Sequence, residues 1–346
     1  MELMKVLVLF GGCSSEHEVS LESAAAVLSH LDTSRFAPVA AGITRQGQWL
    51  LYEGEWDALA AGGWESRGVP CTLNLARGSR ELLLLDGSSR RVAVDVAFPV
   101  LHGKNGEDGT VQGACELAGL PVVGCGTLAG ALCMDKVRAH RLAAAAGVRV
   151  PQNRCFGRCV TEEELRAAAE ELRFPLFVKP LRAGSSLGVS RVERMEALQE
   201  AVQNALQYDS EVVVEQAVDG FEVGCAVMGN DVLTVGLVDE IELSGGFFDF
   251  AEKYTLKTSR VHCPARISLE KAAEVRRAAK TVYRALGCRG MARVDLFLTP
   301  DHEIVFNEVN TIPGFTAHSR FPSMMQGIGL GFRELLTRLI ELGVQG

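Results

Sequence analysis

The stretch that decides the fold consists of two apolar segments, MARVDLFL (residues 291–298) and EIVFNEVN (residues 303–310), joined by the turn-like sequence TPDHE. Their composition and the turn between them predict an antiparallel hairpin. Successive side chains of a strand point to opposite faces, so polar residues two positions apart share a face. If the registers agree, four polar side chains meet within apolar strands: Arg293, Asp295, Glu308 and Asn310.

This polar set predicts a bound charged group, because burying such side chains without a partner costs several kcal/mol. Two carboxylates and an amide oxygen are hard ligands that suit Mg²⁺, which would in turn bridge phosphate oxygens. The alternative is an ion-pair cluster that only holds the hairpin together. We favour the metal site, because the set offers more acceptors than one arginine can satisfy.

Length and composition indicate a globular protein of two or three domains. The chain has 346 residues, 47% of them hydrophobic and 23% charged, which excludes wholesale disorder. With 6% aromatic residues and a formal net charge of −8, neither nucleic acid nor a membrane is an expected partner. No signal peptide and no apolar stretch of about 18 residues is found, so we expect a cytoplasmic protein with buried, reduced cysteines.

Strand and helix alternate over residues 1–126, which predicts an α/β domain with an open, mostly parallel sheet. Its first strand is MKVLVLF and its last is PVVGCG. Ser14 or Ser15 is the expected N-cap of its first helix.

Two α+β units follow. Residues 127–220 include a helix over MDKVRAHRLAAAAG and a helix that starts with a capping box between Thr161 and Glu164. Residues 221–346 include the hairpin and the terminal helix FRELLTRLIEL. The stretch 243–264 has no regular pattern, and a loop of about 20 residues in a compact domain is typical of a lid or binding loop.

A second polar signal is the glycine-rich segment FVKPLRAGSSLGVS (residues 177–190). A strand ends at Lys179, and the glycines that follow would let backbone N–H groups approach a phosphate while the lysine supplies charge. A P-loop has its lysine after the glycines, and a plain hairpin loop is the alternative here. Lys136 in MDKVRAH is a second candidate phosphate contact, or else a solvated helix lysine.

Two loops of the first domain carry further candidates. Glu16 in FGGCSSEHEVS could pair with a substrate ammonium, although the helix dipole also favours an acid there. In FPVLHGKNGEDGTVQG, a strand delivers His102 to a glycine-rich loop at the carboxyl end of the sheet, where such folds bind ligands. A lone loop histidine can equally have no such role.

The segment NTIPGFTAHSRFP (residues 310–322) directly follows the acidic strand. Gly314 offers a backbone N–H that could serve as an oxyanion donor. Ser319 and Arg320 could hold a carboxylate. The alternative is a simple proline- and glycine-rich turn before the last helix.

Seven motifs, in order along the whole chain, resemble those of the ATP-grasp ligases and, within them, the D-alanine–D-alanine ligase family. They are GGCSSEHEVS, LHGKNGEDGTVQG, MDK, KPLRAGSSLGVS, EKY, RVDLF and NEVNTIPGFTAHS. The nearest likeness is to the vancomycin-resistance D-alanine–D-serine ligases of the VanG and VanC types. The resemblance implies an α/β plus α+β fold of three domains, 1–126, 127–220 and 221–346, with nucleotide between the last two and a lid at 243–264.

The resemblance also implies a role for each matching residue around the nucleotide. The residues that bind ATP would be Lys136, Lys179, Glu215, Glu222 and Lys253. The residues that bind two Mg²⁺ ions would be Asp295, Glu308 and Asn310. Glu222 would reach the ribose hydroxyls, and Lys253 would reach the γ-phosphate when the lid closes.

For the first substrate, the resemblance implies that Glu16 anchors the ammonium of D-alanine and that His102 helps to position it. Arg293 and the N–H of Gly314 would stabilise an acyl phosphate and the tetrahedral intermediate.

For the second substrate, Glu16, Ser185 and Tyr254 match a hydrogen-bonded group that positions the amine, and Ser319 would receive the carboxylate. The implied partners are D-alanine and D-serine, with a homodimer as the assembly. The implied cofactors are ATP and two Mg²⁺ ions, with Mn²⁺ as a substitute and K⁺ as an activator.

Two positions depart from ordinary D-alanine–D-alanine ligases. Arg320 stands where those enzymes mostly have Leu or Met, and Phe250 stands where many have Tyr. Both resemble the resistance enzymes and favour D-serine, whereas retention of Lys253 and Tyr254 favours an amine over a hydroxy acid such as D-lactate. The implied function is peptidoglycan-precursor synthesis and vancomycin resistance. The alternatives are a housekeeping D-alanine–D-alanine ligase and a non-catalytic ATP-grasp nucleotide-binding protein.

Overall fold

The computed structural model describes residues 3–243, 259–316 and 319–346, in which three sheets are flanked by helices. This confirms the mixed α/β fold class. The strands are β1 (Met4–Gly11), β2 (Phe36–Ile43), β3 (Trp49–Tyr52), β4 (Gly68–Leu73), β5 (Glu81–Leu84), β6 (Arg91–Ala93), β7 (Val96–Pro99), β8 (Asn153–Gly157), β9 (Leu176–Pro180), β10 (Ser190–Val192), β11 (Glu211–Gln216), β12 (Phe221–Met228), β13 (Thr234–Leu243), β14 (Ser259–His262), β15 (Met291–Leu298) and β16 (Ile304–Asn310). The helices are α1 (His17–His30), α2 (Thr110–Ala118), α3 (Thr127–Met134), α4 (Lys136–Ala145), α5 (Glu162–Leu172), α6 (Met195–Ala205), α7 (Leu269–Ala285), α8 (Arg320–Gln326) and α9 (Phe332–Gln345).

The first sheet is open and has the strand order β6-β5-β4-β3-β2-β1-β7. The buried strand β1, next to the edge strand β7, is parallel to both of its neighbours, β2 and β7. The other four pairings are antiparallel, so the expectation of a mostly parallel sheet is correct only around β1. The reason is that residues 36–93, all of them described, contain no α-helix. Strands joined without such a crossover pair antiparallel.

Two local predictions in this domain are wrong. Residues 121–126 form no strand and add only a single bridge to β7. Helix α1 begins without a serine cap, since Glu16 occupies the N-cap position and makes no side-chain cap bond. The Ser14 hydroxyl instead donates to the carbonyl oxygen of His102, 2.6 Å away.

The central sheet has the order β10-β9-β11-β8 and packs against α5 and α6. The predicted capping box at the start of α5 is confirmed. The Thr161 hydroxyl accepts from the N–H of Glu164 at 3.2 Å, and the Glu164 carboxylate accepts from the N–H of Thr161 at 2.8 Å.

The helix predicted over residues 134–147 is α4, which begins at Lys136, and a separate helix that was not predicted, α3, ends just before it at Met134. Asp135 lies between them with an extended backbone, and its carboxylate caps α4 by accepting from the N–H of Arg138 at 2.9 Å. This break places Lys136 in the first turn of α4.

The third sheet is antiparallel, with the order β14-β13-β12-β15-β16 and α7 packed against it. The predicted hairpin is confirmed as β15 and β16, with Arg293 opposite Asn310 and Asp295 opposite Glu308. The predicted polar residues of the two strands are therefore in register with each other.

The described ends of the predicted loop 243–264 include strand residues, because Leu243 ends β13 and Ser259–His262 form β14, which pairs with β13. Residues 244–258, with Phe250, Lys253 and Tyr254, lie outside the described residues. The turn expected after β16 contains a helix, α8. The domain boundaries remain predictions.

No helix among the described residues is long and apolar enough to cross a membrane. All ten cysteines are described and unpaired, and six are buried as expected. The other four are exposed: Cys13, Cys155, Cys159 and Cys263.

We expect Thr161→Ala to lower the free energy of unfolding by about 1 kcal/mol, because the N–H of Glu164 in the first turn of α5 loses its acceptor. Urea unfolding followed by circular dichroism measures the change. In the matched control Thr281→Ala, the lost hydroxyl only bonds back to the carbonyl of Arg277, so the change should stay within about 0.5 kcal/mol. Equal losses in the two variants would contradict the capping role.

Candidate active site

Two cavities lie side by side in the space between the three sheets. The first cavity, of about 490 Å³, is lined by loops of the first domain, the glycine-rich loop and the segment that follows β16. The second cavity, of about 790 Å³, lies between the central and third sheets. Lys136, Ala183 and Glu308 line both cavities. A ligand bound next to these three residues can therefore be contacted by ligands in both cavities.

The structure places most of the predicted site residues on these walls. The first cavity is lined by Glu16, His102, Lys136, Ser185, Arg293, Glu308, Asn310, Gly314, Ser319 and Arg320. The second is lined by Lys136, Lys179, Glu215, Glu222 and Glu308. Asp295 lines neither cavity in this conformation, since only 1% of its surface is exposed.

The hairpin carries a compact polar cluster around Asp295. Its carboxylate accepts from Arg293 Nε at 2.8 Å, from Arg293 Nη2 at 2.7 Å and from Asn310 Nδ2 at 2.9 Å. Burial lowers the pKa of Arg293, but the charge of Asp295, its hydrogen bond and the charge of Glu222 together outweigh burial, so the pKa is raised. The ion pair that we considered as the alternative therefore exists, and it neutralises one of the two carboxylates.

These donors also fit Mg²⁺ bound together with phosphate oxygens. Among the described residues, no three or more Asp, Glu, His or Cys side chains are grouped to hold a metal alone. Mg²⁺ usually takes one or two carboxylates and completes its octahedron with water and substrate phosphates. Asp295 and Glu308 stand opposite each other on β15 and β16, and Asn310 bonds to Asp295 through nitrogen, which leaves its oxygen to offer to a cation.

Arg320, the first residue of α8, points into a set of acids. Its Nε and Nη2 donate to Asp239 at 2.7 and 2.8 Å, and its Nη1 donates to Glu222 at 2.8 Å. Burial lowers the pKa of Arg320, but Asp239, Asp295 and Glu222 together outweigh burial and raise it. In this conformation Arg320 lines the first cavity, whereas Glu222, the predicted ribose contact, accepts a hydrogen bond from Arg320 and lines the second cavity.

Asp239 is a site residue that the sequence reasoning missed. It lies fully buried on β13 and also accepts from the N–H of Gly224 at 2.9 Å. Gly224 leaves room for the pair, since a Cβ there would lie 2.2 Å from Arg320 Nη2 and 2.5 Å from Asp239 Oδ1. An acid within the apolar run GLVDEI was the available signal.

The second cavity contains a buried ion pair between neighbouring strands. Lys179 Nζ on β9 lies 2.5 Å from Glu215 Oε1 on β11. Burial lowers the pKa of Lys179, but the charge and hydrogen bond of Glu215, together with the charges of Glu308 and Glu222, outweigh burial, so the pKa is raised. The second oxygen of Glu215 is buried without a hydrogen-bond partner. A polar ligand in this cavity would satisfy it, which fits the predicted nucleotide.

The glycine-rich loop connects the two cavities. Lys136 Nζ donates to the carbonyl of Ala183 at 2.7 Å. Ser185 and Ser186 have φ angles of 52° and 56°. Residues other than glycine rarely adopt this left-handed backbone conformation, which is typical of strained functional loops. The Ser185 hydroxyl donates to Glu16, as predicted, while Tyr254, the third member of this group, is outside the described residues.

Segment 311–316 is bound to the first domain. His102 Nδ1 lies 3.0 Å from the carbonyl oxygen of Ile312, and Nε2 lies 3.2 Å from the Ser23 hydroxyl. Glu107, which sequence reasoning did not single out within GEDG, accepts from the N–H of Ile312 at 3.2 Å and of Gly103 at 2.9 Å. Burial and the nearby Glu16 raise the pKa of Glu107 to about 8.

Gly314 and Ser319 lie close together at the end of this segment. A Cβ on Gly314 would lie 2.7 Å from the Ser319 hydroxyl, which itself accepts from the N–H of Thr316 at 2.9 Å. Their predicted roles toward oxyanion and carboxylate remain predictions.

We expect Lys179→Met to lower the free energy of unfolding by about 3 kcal/mol, because it leaves the Glu215 carboxylate buried and unpaired. The double variant Lys179→Met/Glu215→Gln should recover most of that stability but still bind ADP far more weakly than wild type. Urea unfolding and isothermal titration calorimetry with ADP measure the two effects. Wild-type ADP affinity in the double variant would contradict a nucleotide role for the pair.

The raised pKa of Glu107 predicts that the stability of the protein depends on pH. Its pKa of about 8 exceeds the ordinary 4.5, so the folded state holds the proton more tightly than the unfolded chain. The resulting stabilisation is complete below pH 4.5 and is lost as the pH rises to 8. The stability of wild type minus that of Glu107→Gln should fall by up to about 1.4 kcal/mol per pH unit in this window. A flat difference, as we expect for exposed Glu200→Gln, would contradict the assignment.

Comparison with known proteins agrees with this geometry. Residues 5–125 match the family model for the D-Ala–D-Ala ligase N-terminus, and residues 142–341 match that for the C-terminus. The vancomycin B-type resistance protein VanB of Enterococcus faecalis is 44% identical over 353 residues, covering all of both chains. A putative D-alanine–D-lactate ligase of Streptomyces coelicolor is 45% identical over 353 residues, covering 100% of this chain and 99% of that one.

The solved structure of the VanG D-Ala:D-Ser ligase from Enterococcus faecalis superposes with a TM-score of 0.92 at 51% identity, covering 99% of this chain and 100% of that one. The ATP-grasp fold expected from the motifs is thereby confirmed. The chain belongs to the D-alanine–D-alanine ligase family, whose members are ligases that use ATP and Mg²⁺.

Proposed function

We propose that this protein joins D-alanine to D-serine at the expense of ATP, through a D-alanyl phosphate, for peptidoglycan precursors that confer vancomycin resistance. The observation that carries the proposal is the contact between the two cavities at Lys136, Ala183 and Glu308. A carboxylate held in the first cavity and a nucleotide held in the second would meet at these residues.

The first step is the attack of the D-alanine carboxylate on the γ-phosphorus of ATP, with ADP as the leaving group. Glu16 holds the ammonium of D-alanine, while Lys136, Lys179 and Arg293 supply positive charge around the transferred group. Asp295, Glu308 and Asn310 would hold Mg²⁺, which would supply positive charge against the phosphate oxygens. We expect Mn²⁺ to substitute for it and K⁺ to activate.

In the second step, the free amine of D-serine attacks the acyl carbon, and inorganic phosphate leaves. The N–H of Gly314 and the guanidinium of Arg293 stabilise the oxyanion. The group formed by Glu16, Ser185 and Tyr254 orients the amine. Water would hydrolyse the acyl phosphate, so closure of the lid that carries Lys253 protects it.

The second substrate is distinguished by the polar wall around Arg320. Ser319 receives the carboxylate, and the guanidinium of Arg320, which lines the first cavity while Asp239 and Glu222 hold it in place, offers hydrogen bonds that a hydroxymethyl side chain can satisfy and a methyl cannot. A site built to bond a hydroxyl discriminates far better than an apolar one. The likeness to a solved D-Ala:D-Ser ligase supports this assignment, as does Phe250 in place of the tyrosine of many D-alanine–D-alanine ligases. We place the enzyme in the cytoplasm as a homodimer.

The test is to incubate the purified protein with Mg-ATP and D-alanine, with and without D-serine, and to measure phosphate release and the dipeptides formed. D-alanyl-D-serine as the main product of the mixture supports the proposal. D-alanyl-D-alanine as the main product would indicate a housekeeping D-alanine–D-alanine ligase instead. ATP binding without any dipeptide would leave a non-catalytic nucleotide-binding protein.

We expect Arg320→Met to lower the ratio of kcat/KM for D-serine over D-alanine by about tenfold, since the wall loses its hydrogen-bonding centre. Asp239→Asn should change the ratio in the same direction, because it removes the charge that fixes Arg320. The control Arg35→Met breaks an exposed pair with Glu341 and should leave the ratio unchanged. An unaltered ratio in both site variants would refute the specificity argument.

A further inference from the structure

His102 lines the first cavity, but both nitrogens of its ring contact other groups of the protein. Nδ1 lies next to the carbonyl oxygen of Ile312, and Nε2 lies next to the Ser23 hydroxyl. A carbonyl oxygen only accepts hydrogen bonds, so the nitrogen next to the Ile312 carbonyl, Nδ1, carries a proton. The Ser23 hydroxyl accepts from the N–H of Phe315 at 3.3 Å and can donate its own hydrogen to Nε2. The partners therefore match the neutral tautomer with hydrogen on Nδ1.

The charge state agrees with this assignment. The charged groups that face the His102 ring are Glu16 and Arg293. Burial lowers the pKa of His102 and outweighs the opposing effect of Glu16, while Arg293 lowers it further. A neutral ring in which both nitrogens are bonded to protein has no hydrogen bond to offer a substrate.

Glu107 holds the same residue, Ile312, through its N–H group. Its carboxylate accepts the N–H of Ile312 and the N–H of Gly103, and its carbonyl oxygen accepts from the Thr311 hydroxyl at 3.2 Å. His102 and Glu107 thus bind both polar groups of Ile312, two residues before Gly314. Ser23 adds a bond to the N–H of Phe315, one residue after it.

We propose that His102 and Glu107 form a clamp on Ile312 that positions the N–H of Gly314 toward the reacting carbonyl, so that His102 acts as a positioning residue and makes no hydrogen bond to the substrate. The clamp ties a loop of the first domain to the strand end of the third sheet. It rests on the proposed ligase function, in which Gly314 stabilises the oxyanion.

The test replaces His102 by asparagine or by glutamine, because the side-chain amides of these residues mimic different nitrogens of the imidazole ring. The side-chain nitrogen of asparagine lies near the place of Nδ1, and that of glutamine lies near the place of Nε2. The clamp predicts that His102→Asn retains kcat within about threefold, whereas His102→Gln lowers kcat about 100-fold, as expected for a misplaced oxyanion donor. KM for D-alanine should stay within about threefold in both variants. Better activity in the glutamine variant, equal losses, or a raised KM would overturn the clamp.

A matched control and a second measurement keep the test decisive. His30→Asn and His30→Gln alter an exposed ring whose Nδ1 also faces a carbonyl, that of Ala26 at 2.8 Å, and should leave kcat unchanged. NMR of protein labelled with ¹⁵N-histidine reports the tautomer of all seven histidines without turnover. Ser23→Ala identifies the His102 signal by shifting it.

A neutral ring with hydrogen on Nδ1 supports the clamp, and hydrogen on Nε2 overturns it. The NMR measurement does not depend on dipeptide formation, so it tests the clamp even if the wild-type protein is inactive as a ligase. In that case only the proposed function fails.

Discussion

The buried charge of Asp295 is the constraint on which the rest of the site depends. A carboxylate with 1% of its surface exposed costs several kcal/mol unless paired. Arg293 on the same strand and Asn310 on the neighbouring strand both donate to it, and Arg320 Nη2 lies 3.5 Å away. Because Arg320 also binds acids on β12 and β13, one buried charge fixes four strands and the start of α8.

This coupling explains why distant parts of the chain are matched to one another. Gly224 has no side chain where the guanidinium of Arg320 approaches. The clamp on Ile312 brings the first domain to the end of β16, and the Ser185 hydroxyl brings the glycine-rich loop to Glu16. All three predicted domains therefore contribute polar groups to one junction, which suits a reaction that must exclude water.

Features encoded locally were predictable from the sequence. The hairpin follows from strand composition and a turn, and the capping box needs only Thr161 and Glu164. Features that depend on distant partners were not. The partner of Arg320 lies 81 residues away on β13, and that of Glu107 lies 205 residues away. The Ser14 hydroxyl was unavailable as a cap because the carbonyl of His102, 88 residues away, accepts from it.

Helix α8 was missed for a different reason. Its sequence, RFPSMMQ, contains a proline, which usually argues against a helix. Pro322 falls in the first turn, where a missing N–H costs no intrahelical bond. The first sheet was misjudged because short strands with polar flanks between residues 49 and 93 gave no clear periodicity, and they pair antiparallel rather than through helices.

The central claim is that the two cavities bring a carboxylate and the γ-phosphate of ATP together to form an acyl phosphate. The most direct measurement supplies D-alanine labelled with ¹⁸O in both carboxylate oxygens, with Mg-ATP and D-serine, and analyses the inorganic phosphate by mass spectrometry. Our account predicts one ¹⁸O atom in each phosphate released per dipeptide, because the oxygen that attacked phosphorus leaves with it. Dipeptide formed with unlabelled phosphate would contradict the account.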